Sequence, residues 1–99
     1  MADVTPFPAA EAPTVLLVEE DVDTADLYAT SLSNSGYFAT SVQTDADACR
    51  AYDAMRHEAV VADFGLARSG GVGVIEHVTR QSDGQVPVIM VTGHEPASV

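Results

Sequence analysis

Three short, unbroken apolar runs limit what this chain can fold into more than any other feature of its sequence. They span Thr14–Val18, Ala59–Ala62 and Val86–Val91, and each stops abruptly at an acidic or hydroxyl residue. Aliphatic runs without polar alternation are typical of strands that are covered on both faces, as in parallel sheets. We therefore expect a central sheet with helices on both of its faces.

The segments between these runs support the same architecture. Apolar residues recur at helical spacing in three segments, 23–35, 44–56 and 74–81, and a further segment, 37–42, alternates as a strand does. Thr44 is the predicted cap of the second helical segment. Residues 65–73 are Gly-rich and have no period, so they are predicted to form a loop. The order β-α-β-α-β-α-β predicts a doubly wound parallel α/β sheet with right-handed crossovers.

Length and composition set the broad class. The 99 residues are enough for one small domain, which we place at 14–99; residues 1–13 hold three of the five prolines and are predicted to be a flexible leader. The formal net charge of −11 disfavours direct binding to nucleic acid. One cysteine excludes an internal disulfide, and no apolar run is long enough to cross a membrane. A cytoplasmic protein is expected.

Polar side chains gather where the predicted strands end. Glu19, Glu20 and Asp21 follow the first run, Asp63 follows the second, and Thr92 with Gly93 follows the third. In open α/β sheets, ligands bind at the carboxyl ends of the strands. Carboxylates brought together there suit Mg²⁺, and an ionised Asp beside such a metal can attack phosphorus. The sequence therefore predicts a Mg²⁺-binding pocket at the strand ends, in which an Asp could attack phosphorus.

One motif points to a different protein class at first sight. The segment DFGLAR, from Asp63 to Arg68, resembles the start of a protein-kinase activation segment. All four basic residues are Arg, however, so the kinase lysine is absent, and the catalytic loop and Gly-rich motifs are absent too. The kinase interpretation fails.

The residues do resemble another family, the receiver domains of two-component response regulators. TVLLVEED is similar to the first strand with its acidic pair, AVVADFGLARSGGVGVIEHV to the phosphoacceptor strand with its loop and helix, and VPVIMVTGHEP to the fourth strand. The resemblance implies a flavodoxin-like fold, Asp63 as phosphoacceptor, and Glu19 and Glu20 as Mg²⁺ ligands. It also implies the Gly65 backbone carbonyl as a metal ligand, and Thr92 with Gly93 as the phosphoryl-binding switch.

The sequence departs from the family pattern in several places. Glu20 stands where Asp is usual, which predicts weaker metal binding unless Asp21 substitutes. The chain ends at Val99, so the strand order is expected to be 2-1-3-4, without the family's fourth helix, fifth strand, fifth helix and phosphoryl-pairing lysine. The fourth strand would then be an open edge, which leaves three alternatives: the chain is a fragment of a longer protein, it forms a homodimer through that edge, or it is only marginally folded.

These features leave two functions open. In the first, Asp63 takes a phosphoryl group from a histidine kinase or phosphotransfer protein, with Mg²⁺, and switches a protein-interaction surface. In the second, the chain is a degenerate receiver that is not phosphorylated and acts as a binding or dimerisation module. Neither involves turnover of a separate substrate, so the chain is not expected to be an enzyme. An aspartyl phosphatase would have a second Asp two residues after its nucleophile, where this chain has Gly65.

Overall fold

The computed structural model describes residues 12–63 and 72–91, which form a four-stranded parallel sheet with three helices. In chain order the elements are β1 (Thr14–Glu19), α1 (Val22–Asn34), β2 (Phe38–Val42), α2 (Asp45–Met55), β3 (Ala59–Asp63), α3 (Val72–Gln81) and β4 (Val88–Val91). Residues 1–11 of the predicted leader, residues 65–71 of the predicted loop, and the predicted phosphoryl-binding residues Thr92 and Gly93 lie outside these ranges, and the division into 1–13 and 14–99 stays a prediction.

The order of the strands confirms the predicted fold class. Within the described residues the sheet runs β2-β1-β3-β4, and every neighbouring pair is parallel. The chain thus forms the flavodoxin-like, doubly wound sheet with β1 and β3 at its centre. Because β1 and β3 are neighbours in register, the residues that end them, Glu19 and Asp63, stand directly opposite each other.

One face of the sheet holds the main hydrophobic core. Its buried members come from β1, β3, α2 and α3: Leu16, Val18, Ala48, Tyr52, Val60, Ala62, Val74 and Val78. Side chains alternate between the two faces of a strand, so Val15, Leu17 and Glu19 of β1 lie on the opposite face. That face is the one covered by α1, where Ala25 is buried.

Both ends of α1 are fixed by local hydrogen bonds. Asp21 is the N-cap, and its Oδ2 accepts from the backbone N–H of Thr24 at 2.8 Å. At the other end, the N–H of Gly36 donates to Ser33 and that of Tyr37 donates to Leu32, each at 3.0 Å. This pair of bonds forms a Schellman motif, which needs a left-handed residue, and Gly36 has φ of 95°.

The second helix begins at the cap that the sequence predicts. Thr44 precedes α2, and its hydroxyl accepts from the backbone N–H of Asp47 at 3.1 Å. Asp45, the first residue of α2, lies against α3, because a Cβ added at Gly73 would stand 3.1 Å from Asp45 Oδ2. The glycine therefore allows the two helices to approach closely.

Some predicted boundaries were wrong by one or two residues. The loop predicted up to Gly73 ends earlier, since α3 already begins at Val72. The fourth strand begins at Val88 rather than Val86, because the N–H of Val86 donates to Ser82 Oγ at 3.2 Å within the preceding turn. Pro87, which has no N–H, offers only its carbonyl, which accepts from Val60 at 3.0 Å.

None of the three described helices is long and apolar enough to cross a membrane.

Candidate functional site

The site is built on a pair of buried carboxylates at the carboxyl ends of the two central strands. Glu19 ends β1 and Asp63 ends β3, and only 5% of Glu19 and 7% of Asp63 are exposed to solvent. With His57, they are the only buried polar or charged residues in 12–63 and 72–91. Burying a carboxylate is costly, and burying two side by side is costlier, so this edge of the sheet is not arranged for stability.

The two oxygens of Glu19 differ in their surroundings. Oε2 accepts from the backbone N–H of Asp21 at 2.8 Å, whereas Oε1 is buried and has no hydrogen-bond partner among the described residues. Burial raises the pKa of Glu19, and the neighbouring Asp63 carboxyl raises it further, against the lowering effect of the Asp21 N–H. The chain thus holds a buried, unsatisfied carboxylate oxygen beside a second carboxylate.

A tyrosine from α1 completes the described part of the site. The hydroxyl of Tyr28 donates to Asp63 Oδ2 at 3.2 Å. Burial raises the pKa of Tyr28, and the hydrogen bond to Asp63 and the nearby negative charges of Asp63 and Glu19 add to the increase.

Sequence analysis did not predict this role for Tyr28. Tyr28 lies inside a predicted helix, whereas the predicted site residues all follow strands. A signal was present: Tyr28 follows Ala25 by three residues, on the face of α1 that turns towards the sheet. A tyrosine on such a face usually directs its hydroxyl to a polar partner.

The remaining predicted site residues divide into two groups. Glu20 is exposed, beside the carboxylate pair in the chain, and its backbone carbonyl accepts from Gln43 Nε2 at 3.4 Å. Gly65, Thr92 and Gly93 lie outside the described residues. The structure therefore brings together Glu19 and Asp63 of the predicted set, and adds Tyr28.

Asp21 caps α1, whereas the sequence suggested it as a substitute for Glu20 in metal binding. Its Oδ2 accepts from both the N–H and the hydroxyl of Thr24, the latter at 2.7 Å, and these bonds lower the pKa of Asp21. The carboxylate is thereby committed to starting α1. Substitution for Glu20 as a metal ligand would compete with that cap.

The carboxylate pair fits a small hard cation. In the part of the chain that the structure describes, no three His, Cys, Asp or Glu side chains are grouped as a metal site. Mg²⁺ does not need three, since it commonly takes one or two carboxylates and keeps several waters. The unpartnered Oε1 of Glu19 beside Asp63 is the kind of oxygen that such an ion would satisfy.

Comparison with known proteins now identifies the family. The pattern of the response regulator receiver domain family matches residues 15–99. The chain belongs to this family. It is therefore a receiver domain of two-component signalling, and the predicted family is confirmed.

Individual relatives agree with this result. The chain is 28% identical over 78 residues to a probable transcriptional regulator, ycf27, of Guillardia theta; the match covers 79% of this chain but spans only 30% of that protein. Among solved structures, the signal receiver domain of a putative Luxo repressor protein from Vibrio parahaemolyticus is 28% identical, with a TM-score of 0.71 over 87% of this chain and 65% of that one.

Two more distant structures share the fold. Chemotaxis protein CheY4 of Vibrio cholerae is 20% identical, with a TM-score of 0.74 over 86% of this chain and 72% of that one. Response regulator protein TrrA, in the structure of its complex with histidine kinase ThkA, matches at 15% identity, with a TM-score of 0.73 over 88% of this chain and 74% of that one.

Proposed function

We propose that this receiver domain accepts a phosphoryl group on Asp63 and switches a protein-interaction surface in response. The observation that carries the proposal is the buried pair of Glu19 and Asp63, held side by side at the ends of β1 and β3. Such a pair destabilises the fold unless a positive charge compensates for it. A cation bound at a phosphoacceptor site would supply that charge.

The transfer needs a nucleophile, a donor and a leaving group. A carboxylate oxygen of Asp63 attacks phosphorus, a new O–P bond forms, and the bond from phosphorus to the donor breaks with its electron pair leaving on the donor. Mg²⁺, held by Glu19, Asp63, Glu20 and the Gly65 carbonyl, would neutralise phosphoryl charge. Thr92 and Gly93 would then bind the transferred group, and hydrolysis of the acyl phosphate would reset the domain.

The natural donor would be a histidine kinase or a phosphotransfer protein. Membership of the two-component family supports this, as does the fold shared with a response regulator that has been crystallised with its histidine kinase. We expect the protein to act in the cytoplasm, where such kinases present their phosphohistidine. Apart from its own phosphorylation and dephosphorylation, we do not expect it to turn over a substrate.

The direct test is phosphorylation by a small donor. The full chain would be incubated with Mg²⁺ and acetyl phosphate, and its intact mass measured alongside that of Asp63→Asn, which keeps the size of the side chain. We expect one phosphoryl adduct in the wild type and none in the variant. No adduct on protein that circular dichroism shows to be folded would overturn the proposal.

A second function is favoured by a separate observation, the exposed apolar edge strand. In the described sheet β4 lies at the edge, and about half of the Ile89 and Met90 side chains is exposed. An apolar edge invites pairing with another strand. A receiver that is not phosphorylated could therefore serve as a binding or dimerisation module, and the absence of lysine and the presence of Glu20 are in keeping with this.

Sedimentation velocity over a range of protein concentrations tests the dimer. Met90→Lys should reduce association by placing a charge on β4, whereas Met55→Lys should not, since Met55 is comparably exposed but ends α2. A sedimentation coefficient that stays constant with concentration would contradict dimerisation.

A further inference from the structure

We propose that Tyr28 is a positioning residue for the phosphoacceptor: its hydroxyl holds the Asp63 carboxylate in the orientation from which it attacks phosphorus. The proposal rests on the proposed function and adds a residue to it. The observation is the hydrogen bond from the Tyr28 hydroxyl to Asp63 Oδ2, 3.2 Å long, which joins α1 to the end of β3.

A hydrogen bond to the Asp63 carboxylate counteracts its unfavourable interaction with Glu19. Glu19 stands opposite it in the ladder, and both side chains are buried, so their charges repel each other at short range. A donor on the α1 side opposes that repulsion and favours one orientation of the carboxylate. A bond to one oxygen fixes the plane of the group, and the plane decides where the lone pairs of both oxygens point.

The composition of the chain favours an uncharged hydrogen-bond donor to Asp63. There is no lysine to supply an ammonium group. Among the arginines that the structure describes, Arg50 pairs with Asp47 on the surface of α2, and Arg56 lies over the Tyr52 ring and donates to the Gln81 carbonyl. The third, Arg80, is exposed in the last turn of α3. A phenol reaches the carboxylate from the second turn of α1 without adding a charge.

Tyr28 borders an apolar groove of about 260 Å³ between α1 and the sheet, together with Ser31, Leu32, Val61 and Val91. Apolar side chains of α1, β3 and β4 therefore surround the residue that carries the donor hydroxyl. Replacing Tyr28 by Phe keeps the ring in this groove and deletes only the donor.

The hydroxyl keeps its proton throughout the transfer. It donates to Asp63 before the attack, and it neither takes nor gives a proton when the O–P bond forms and the donor leaves with its electron pair. Tyr28 therefore acts through Asp63, and its removal should slow the transfer without weakening the capture of the phosphodonor.

The first experiment measures phosphorylation rates over a series of acetyl phosphate concentrations. Tyr28→Phe should lower the limiting rate constant about five- to tenfold, the scale of one hydrogen bond to a charged group. The concentration that gives the half-maximal rate should change by less than about twofold. Tyr37→Phe is the matched control, since it makes the same change at an exposed residue just before β2, and it should behave as wild type.

The second experiment observes the hydrogen bond itself and does not depend on phosphorylation. The chain has three tyrosines, so ¹³C labelling of their Cζ atoms gives three resonances that single Tyr→Phe variants assign. Asp63→Ala should shift the Tyr28 resonance and leave those of Tyr37 and Tyr52 in place. A Tyr28 resonance that does not move would overturn the proposal, whether or not Tyr28→Phe folds.

The outcomes separate the two proposals. Wild-type protein that takes up no phosphoryl group would overturn the proposed function, and the role of Tyr28 with it. Wild-type protein that is phosphorylated, with a Tyr28→Phe variant that matches its limiting rate, would overturn the role of Tyr28 alone. A lowered rate in Tyr28→Phe and in Tyr37→Phe alike would also overturn it, because the effect would not be specific to the bond.

Discussion

The two faces of the sheet are built in different ways. The face under α2 and α3 is closed, and its core side chains, such as Leu16, Val60 and Val78, have no exposed surface. The face under α1 is only partly covered: Val61 and Val91 are half-buried, and about half of Ile89 is exposed. Yet the open face carries Glu19, Asp63 and Tyr28.

The difference separates stability from chemistry within one sheet. Apolar burial on the closed face supplies the favourable free energy of folding. The carboxylates on the open face lower the stability of the fold, since each is buried beside a like charge. Substitutions on the closed face should therefore cost stability, whereas some at the site should increase it.

The largest expected effect comes from the closed face. Leu16→Ala would leave a cavity at a fully buried position of the central strand β1 and should lower the free energy of unfolding by about 3 kcal/mol. Leu27→Ala makes the same change on α1 at a residue that is 71% exposed, and it should change the free energy of unfolding by less than about 0.5 kcal/mol. Urea unfolding followed by circular dichroism measures both. Equal losses would show that the two faces do not differ in this way.

The sequence was sufficient for the fold because its signals were local and consistent. The apolar runs predicted β1 and β3, and the cap at Thr44 predicted the start of α2, because these features depend on neighbours in the chain. The boundaries that were wrong, at Val72 and Val88, depend on contacts that the sequence does not display. The turn that holds the N–H of Val86 on Ser82 is one of them.

The site was predictable only where it follows the strands. Glu19 and Asp63 come directly after apolar runs, and a parallel sheet brings such residues to one edge. Tyr28 comes from a helix, and its reach to Asp63 depends on how α1 packs over the sheet. Which of several polar residues a fold brings within 3.2 Å is a property of that packing.

A smaller effect, of opposite sign, is expected at the site. Glu19→Gln removes a buried charge and gives Asp63 a neighbouring amide donor in place of a repelling carboxylate. Without Mg²⁺ at neutral pH, the variant should be more stable than wild type by about 1–2 kcal/mol. Adding Mg²⁺ should raise the melting temperature of the wild type and leave that of the variant nearly unchanged.

Glu76→Gln is the control for this prediction. Glu76 is exposed on α3, so removing its charge should affect neither the stability nor the response to Mg²⁺. A Glu19→Gln protein less stable than wild type in the absence of metal would mean that the carboxylate supports the fold. The proposed division, with stability on one face of the sheet and chemistry on the other, would then be wrong.

The smallest effect concerns a buried polar residue outside the site. His57 lies just before β3 and is only 1% exposed, and within 12–63 and 72–91 neither of its ring nitrogens has a hydrogen-bond partner. Burial lowers the pKa of His57 from its usual value of 6.5. Below pH 6.5 the unfolded chain therefore binds a proton that the folded protein does not, and falling pH favours unfolding by up to about 1.4 kcal/mol per pH unit until the folded-state pKa is reached. Above that range the histidine is neutral in both states and contributes no pH dependence.

Comparing His57→Leu with wild type isolates this contribution from the other titrating groups. As the pH falls from 7 to 5.5, the wild type should lose stability relative to His57→Leu, by no more than about 1.4 kcal/mol per pH unit. Mg²⁺ should alter the stability through Glu19 but leave the His57 difference unchanged. A metal-dependent His57 difference would mean that the amino end of β3 and the carboxylate site at its other end are coupled.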